Sequence, residues 1–228
     1  MDNIYQLVLE HMNDIAVPPE LGKLKTNFNY PWLWAYLDLK GKEKQGVKFR
    51  LLTDETEIIL KIMIWWLRDQ ELAVQYKIDL QAGLMVSGPV GCGKTSLVKL
   101  CSLLPNSREK PLFKPCREIS FEVETDGPAS ILHYTRHSFD YANEKPRIYI
   151  FDDLGVETVV NYFGNLLSPM CEIIAGRYDY YMSHGMQTII TTNLSATQIE
   201  QRYGARVRSR LREMMNLVAF PAAAADKR

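Results

Sequence analysis

Apolar and polar positions change rhythm along the chain near residue 80. Ahead of it, "NYPWLWAYLDLKGKEKQG" crowds Tyr30, Trp32, Trp34 and Tyr36 before a glycine and lysine loop, and "TDETEIILKIMIWWLRDQELAVQY" reads as one capped helix. Thr53 or Asp54 is expected to supply the N-cap, a side-chain oxygen that satisfies an otherwise orphaned amide, with acids in the first turn. Apolar residues nearly encircle that helix, which predicts burial against the next domain. Beyond residue 80, short β-rich runs at 84–88, 118–124, 147–153, 187–193 and 216–221 alternate with segments of helical spacing. Five strands joined by helical crossovers predict an α/β domain with a parallel sheet covered on both faces. The expected organisation is a small, mostly helical N-terminal extension over 1–80, followed by that domain over 81–228.

Composition narrows the class. A chain of 228 residues, 46% hydrophobic and 24% charged, is neither fibrous nor disordered and can bury a full core. Formal net charge is zero, so binding to nucleic acid has to come from a local patch. The longest apolar stretch, 58–67, is interrupted by Lys61 and is about half the roughly 20 residues that cross a bilayer, so no membrane span is expected. The opening "MDNIYQLVLEHMND" is acidic and lacks a basic region followed by a cleavage site, which points to the cytoplasm. Cys92, Cys101, Cys116 and Cys171 are scattered without a C-x-x-C pair, as reduced thiols would be. His133 and His137 stand at metal-ligand spacing in "HYTRH", but no third ligand accompanies them and no metal site is expected there.

The chemistry begins at "GPVGCGKT", residues 88–95, which fits G-x-x-x-x-G-K-[ST] and lies between a predicted strand and a predicted helix. Glycines at 88, 91 and 93 let the backbone curl, so that successive N–H groups and the helix N-terminus face phosphate oxygens. The residues expected to bind nucleotide are Gly88, Pro89, Val90, Gly91, Cys92, Gly93, Lys94, Thr95 and Ser96. Lys94 would bridge the β- and γ-phosphates, and the Thr95 hydroxyl would ligate Mg²⁺. "RIYIFDDLG" is an apolar strand ending in two acids. In P-loop proteins a carboxylate at that tip holds Mg²⁺; Asp152 takes this role by position, and Asp153 stands where a base orienting the attacking water is expected. "MQTIITTN" ends in Thr191, Thr192 and Asn193, and an amide there can reach both the γ-phosphate and the lytic water. Acids, threonines and asparagines at strand ends are also ordinary turn formers. "QRYGARVRSRLREM" carries five arginines; on a helix Arg206 and Arg210 share one face, and Arg208 and Arg212 another. One of them could act as an arginine finger, or the set could be a solvated basic face.

Taken together, "GPVGCGKT", "IFDDLGVE", "RYDYYMSHGMQTIITTNLS" and "YGARVRSRLREM" resemble the AAA+ ATPases of the DnaC/DnaI/IstB type, the bacterial helicase loaders and transposition helper ATPases. The resemblance covers residues 83–228, about two thirds of the chain. It implies a P-loop NTPase with a RecA-like sheet of strand order 5-1-4-3-2 flanked by helices, and an ATPase that works as a homo-oligomer with each site completed by its neighbour. It makes Lys94 and Thr95 the Walker A pair, Asp152 the Walker B acid on Mg²⁺, Asn193 the sensor 1 residue and Arg210 the arginine finger, with Arg206 the second candidate. ATP and Mg²⁺ are the implied cofactors; DNA, single strands before duplex, and a replicative helicase or a transposase are the implied partners. Two departures qualify the likeness. Asp153 stands where most AAA+ proteins carry glutamate, one methylene longer, which implies slow or partner-dependent hydrolysis. The sequence runs only seven residues past "NLVAFP", which leaves no room for a C-terminal helical lid. In relatives the N-terminal part carries partner binding, so Trp32, Trp34 and Tyr36 are a candidate docking surface, against simple packing of aromatics into a core. Two other functions fit the same loop: an ATP-dependent scaffold with negligible turnover, and a monomeric nucleotide or metabolite kinase.

Overall fold

The computed structural model describes residues 2–104, 110–140, 142 and 144–227. The chain forms two compact units, one of residues 1–80 with 96–108, the other of 81–95 with 109–228.

The first unit is helical: α1 (Asp2–Met12), α2 (Tyr30–Gln45), α3 (Thr56–Leu67) and α4 (Gln70–Tyr76). α2 starts where the Asn29 side chain accepts the Trp32 amide at 3.1 Å, with Pro31 presetting φ in the first turn. Its aromatics then separate by face. Tyr30 and Trp34 are buried, whereas Trp32 is half-buried and stacked between Tyr5 and Tyr36, at centroid distances of 5.7 and 5.4 Å. The helix expected over 53–76 is in fact three pieces. Thr53–Glu55 make a 3-10 turn, so neither Thr53 nor Asp54 caps α3, which opens at Thr56. At Arg68 the backbone turns left-handed, φ 59°, and Asp69 starts α4 by accepting the Leu72 amide at 3.1 Å. Asp69 also accepts the Tyr30 hydroxyl at 3.0 Å, which ties α2 to the break. α3 is apolar on nearly every side, and Ile59, Leu60, Ile62, Met63, Ile64, Trp65 and Trp66 are all buried.

The second unit is α/β. In chain order it runs β1 (Gly83–Ser87), the start of α5 (Lys94–Cys101), β2 (Leu112–Pro115), α6 (Cys116–Asp126), β3 (Tyr149–Leu154), the hairpin β4 (Val160–Tyr162) and β5 (Asn165–Leu167), α7 (Pro169–His184), β6 (Thr188–Thr192), α8 (Ala196–Met214) and β7 (Met215–Ala219). Five strands pair in parallel in the order β2-β3-β6-β1-β7. Counted in chain order as strands one to five and read from the β7 edge, this is the expected 5-1-4-3-2.

One strand was expected in the wrong place. Residues 118–124 lie inside α6, where Ile119 and Val123 are buried while Phe121 between them is 52% exposed. Burial at i and i+4 is the helical period, and it overrides the apparent alternation of "EISFEVE". The second core strand is the four-residue Leu112–Pro115 just before it.

α6, α7 and α8 bury Ile119, Val123, Ile173, Ile174, Val207 and Leu211 together with Phe151 of β3 and Ile190 of β6. Arg177 of α7 braces the starts of these strands from within the core. Its guanidinium is fully buried and donates to Thr188 Oγ1 at 2.7 Å and to the carbonyls of Tyr134, Arg147 and Gln187 at 2.7, 3.1 and 2.8 Å. Burial pushes its pKa down to about 9, so it stays charged at neutral pH. All four cysteines are free thiols. Among the described residues no helix is long and apolar enough to cross a membrane.

Candidate functional site

β1, β3 and β6 are neighbours in the sheet, so their C-terminal tips emerge side by side, and the residues singled out by the sequence sit there. β1 feeds the glycine loop, in which Gly91 and Gly93 adopt φ of 83° and 94°, a region that side-chain-bearing residues rarely enter. α5 opens at Lys94, and Thr95 follows in its first turn. Lys94 is only 5% exposed, and its Nζ donates to the carbonyls of Gly88 and Pro89 at 3.0 and 2.8 Å and to Asn193 Oδ1 at 2.5 Å. Among the described residues no carboxylate pairs with it. An ammonium held by neutral dipoles alone retains its full attraction for an incoming anion.

The two acids sit in a β-bulge. The β3–β6 register shifts between Phe151 and Leu154, and Asp153 takes a left-handed φ of 55°, a conformation aspartate tolerates better than most residues. Asp152 is 8% exposed, and its Oδ1 accepts two hydroxyls, from Thr95 and from Thr191, both at 2.7 Å. The same Thr191 Oγ1 accepts the Asp153 amide at 2.9 Å, so one fully buried hydroxyl fixes the carboxylate of one acid and the backbone of the other. Thr191 is the residue sequence reasoning underrated. The signal was present, three polar residues at a strand tip, but a threonine in a strand is ordinary and only the fold reveals its partners. Behind the acids, the Cys116 thiol is pushed up by burial and further by Glu157, Asp152 and Asp153, so it stays protonated.

Thr95 Oγ1 and Asp152 Oδ1 converge as two hard oxygens, a donor pair that fits Mg²⁺ completed by phosphate and water. Among the described residues no three His, Cys, Asp or Glu side chains gather as a metal site. His133 and His137 face each other edge to face at 6.3 Å, and no third ligand joins them among the described residues.

α8 is where the structure sorts the arginines. Gly204 breaks the helix with φ 86° and ψ 161°. Before the break, Arg202 and Tyr203 hold the buried Glu157: the Tyr203 hydroxyl donates to its carboxylate, and Arg202 Nε lies 3.8 Å from the same oxygen. Glu157 also accepts the Gly155 amide at 2.9 Å, so the loop after the acid pair is tied to α8. Past the break, Arg208 pairs with Glu200, and Arg210 lies 3.6 Å from Asp179 with its guanidinium 5.0 Å from the Tyr178 ring centroid. Arg206 and Arg212 are exposed, with no hydrogen bond or ion pair among the described residues. The family resemblance ranked Arg210 ahead of Arg206, and Arg210 is the better anchored of the pair within its own chain.

No family model and no curated protein matches the chain. Among solved structures it is similar to one described as the DnaC helicase loader, at 22% identity over 62% of this chain and 79% of that one, with a TM-score of 0.41. It is similar to another described as DnaI, at 19% identity over 64% of this chain and 73% of that one, with a TM-score of 0.44.

Proposed function

We propose that this chain is an AAA+ ATPase that binds and hydrolyses MgATP, assembles into homo-oligomers on DNA in the cytoplasm, and serves a replicative helicase or a transposase as a loader or helper. The observation that carries the reading is the meeting of Lys94, Thr95, Asp152 and Asn193 at adjoining strand tips. In this reading the loop amides and Lys94 bind the β- and γ-phosphate oxygens, and Thr95 and Asp152 hold Mg²⁺. When bound there, the ion would supply positive charge that offsets the charge developing on the phosphates. Asp153 and Asn193 orient a water molecule. Its oxygen attacks the γ-phosphorus in line, the bond to the β–γ bridging oxygen breaks, and the proton leaves towards Asp153, giving ADP and phosphate. Arg210 of a neighbouring copy, with Arg206 as the alternative, meets the developing charge.

The short reach of Asp153 supports a second reading, a nucleotide-dependent scaffold with negligible turnover. Steady-state phosphate release with and without single-stranded DNA, read beside the size of the assembly, separates the two. Turnover stimulated by DNA, with growth from monomer to a defined ring or filament, is the expected result. Tight MgATP binding without turnover under any condition selects the scaffold, and the absence of MgATP binding overturns both. A chain of zero net charge has to gather its basic surface from several copies, so DNA affinity is expected to depend on nucleotide and to fall steeply with salt.

A further inference from the structure

The segment that follows β7 turns back onto the glycine loop. Phe220 extends the β1–β7 pairing by donating its amide to Ser87 O at 2.8 Å, and Ala224 closes a turn on Pro221 O at 3.0 Å. The chain then reaches the loop itself, where the Lys227 amide donates to Gly91 O at 3.0 Å. The Asp226 carboxylate lies directly over Gly91. A Cβ at that position would stand 2.1 Å from Asp226 Oδ1, so only glycine admits the contact. The Lys227 side chain runs past Gly93, with its Cδ 3.5 Å from where a Cβ would be, and its Nζ lies 5.6 Å from the Phe220 ring centroid. One acid and one base of the same chain thus sit on the two loop glycines whose left-handed φ shapes the loop.

We infer that residues 221–227 are a strap belonging to the nucleotide site, an occupant of the loop that ATP has to displace. The inference rests on the nucleotide reading above. Its physical basis is charge: the loop and Lys94 form a concavity suited to anions, and the strap brings a carboxylate to its edge. A triphosphate brings several negative charges to the same place, and two anions cannot share it without strong repulsion. Pro221, Ala222, Ala223, Ala225, Asp226 and Lys227 are all exposed, so the strap lies on the surface and opening it uncovers little apolar area. A loop that is open only a fraction of the time binds nucleotide with affinity reduced by that fraction.

The test is binding of a fluorescent, slowly hydrolysed ATP analogue with Mg²⁺ to the full chain, to the double variant Asp226→Ala/Lys227→Ala, and to a chain ended at Ala222. Both altered chains are expected to bind about tenfold more tightly and to associate faster, the factor that follows from a strap closed in about nine molecules of ten. In the unaltered chain, hydrogen exchange at the Lys227 amide is expected to speed up when the analogue is added, a readout independent of how the variants fold. Equal or weaker binding in both altered chains, or a Lys227 amide whose exchange does not change with saturating analogue, overturns the strap and leaves the nucleotide site standing. Failure of the unaltered chain to bind the analogue overturns the nucleotide reading itself.

Discussion

The cluster at the tips of β1, β3 and β6 and the half of α8 beyond Gly204 are both rich in charge, yet they are finished to different degrees. At the strand tips hydrogen bonds join Lys94 to Asn193 and both Thr95 and Thr191 to Asp152, and three of the five, Lys94, Asp152 and Thr191, are at most 8% exposed. Beyond Gly204, two arginines are satisfied within the chain, Arg208 by Glu200 and Arg210 by Asp179, while Arg206 and Arg212 stand in solvent. In the reading proposed above, the first region binds nucleotide and the second offers a cation to a neighbouring copy, and that division can be broken at either end.

The largest effect is expected at Lys94. Lys94→Ala removes the one cation of the strand-tip cluster and the partner of Asn193 Oδ1 and of two loop carbonyls. The β- and γ-phosphates then lack their counter-ion, and binding or turnover of MgATP should be lost. A variant that binds and turns over nucleotide like the parent would show that the self-contained cluster is not the nucleotide site.

The arginines come next, and they test whether the second region works in trans. An arginine finger is worth roughly 10³ to 10⁵ in rate, so its alanine variant should bind ATP nearly as well as the parent and hydrolyse it poorly. Arg210→Ala and Arg206→Ala are to be compared directly, because Arg210 is anchored on Asp179 and Tyr178 whereas Arg206 has no partner among the described residues. Whichever variant is inactive should regain part of its activity when mixed with Lys94→Ala, since an intact loop in one copy then meets an intact arginine from the other. Absence of recovery in mixtures shown to co-assemble would place the arginine's role inside its own chain. If Arg206→Ala is the one complemented, the finger belongs to the exposed cation and Arg210 serves to fix α8 on α7.

How much of this was legible depends on how far each feature reaches along the chain. The glycine loop spells itself out in eight consecutive residues, and Asp152 follows from one strand and its end, so both could be read locally. The strand order could be anticipated only through the family resemblance, and the fold reproduces it. Local reading failed where two periods compete: Ile119, Phe121 and Val123 alternate like a strand, and only the core decides that Phe121 faces out. It failed again at Arg68 and Asp69, where an N-cap aspartate ahead of Gln70 and Glu71 was available as a signal but lay inside a long apolar pattern. The hairpin around Phe163 and Gly164 went unread because its strands are three residues each. Contacts that join distant segments, such as Glu157 with Tyr203 or Asp226 with Gly91, leave no local trace.

The smallest effect is expected at Thr191, and it probes how closely finished the strand-tip cluster is. Thr191→Val keeps nearly the same volume in a fully buried position, takes one of two hydroxyls from Asp152 Oδ1, and leaves the Asp153 amide without its acceptor. Residues that orient a metal-holding carboxylate typically contribute 10–100-fold to metal affinity or activity. Thr191 shares its carboxylate with Thr95, so the low end applies: kcat should fall about tenfold with little change in KM, and half-maximal activity should require several-fold more Mg²⁺. Thr191→Ser restores the hydroxyl and should restore both. A residue that only fills space would behave otherwise. Its valine variant would lose thermal stability at most, and activity per folded molecule and its Mg²⁺ dependence would stay where they were. That outcome would mean Asp152 is positioned well enough by Thr95 alone, and that the buried hydroxyl serves the bulge at Asp153 rather than the metal.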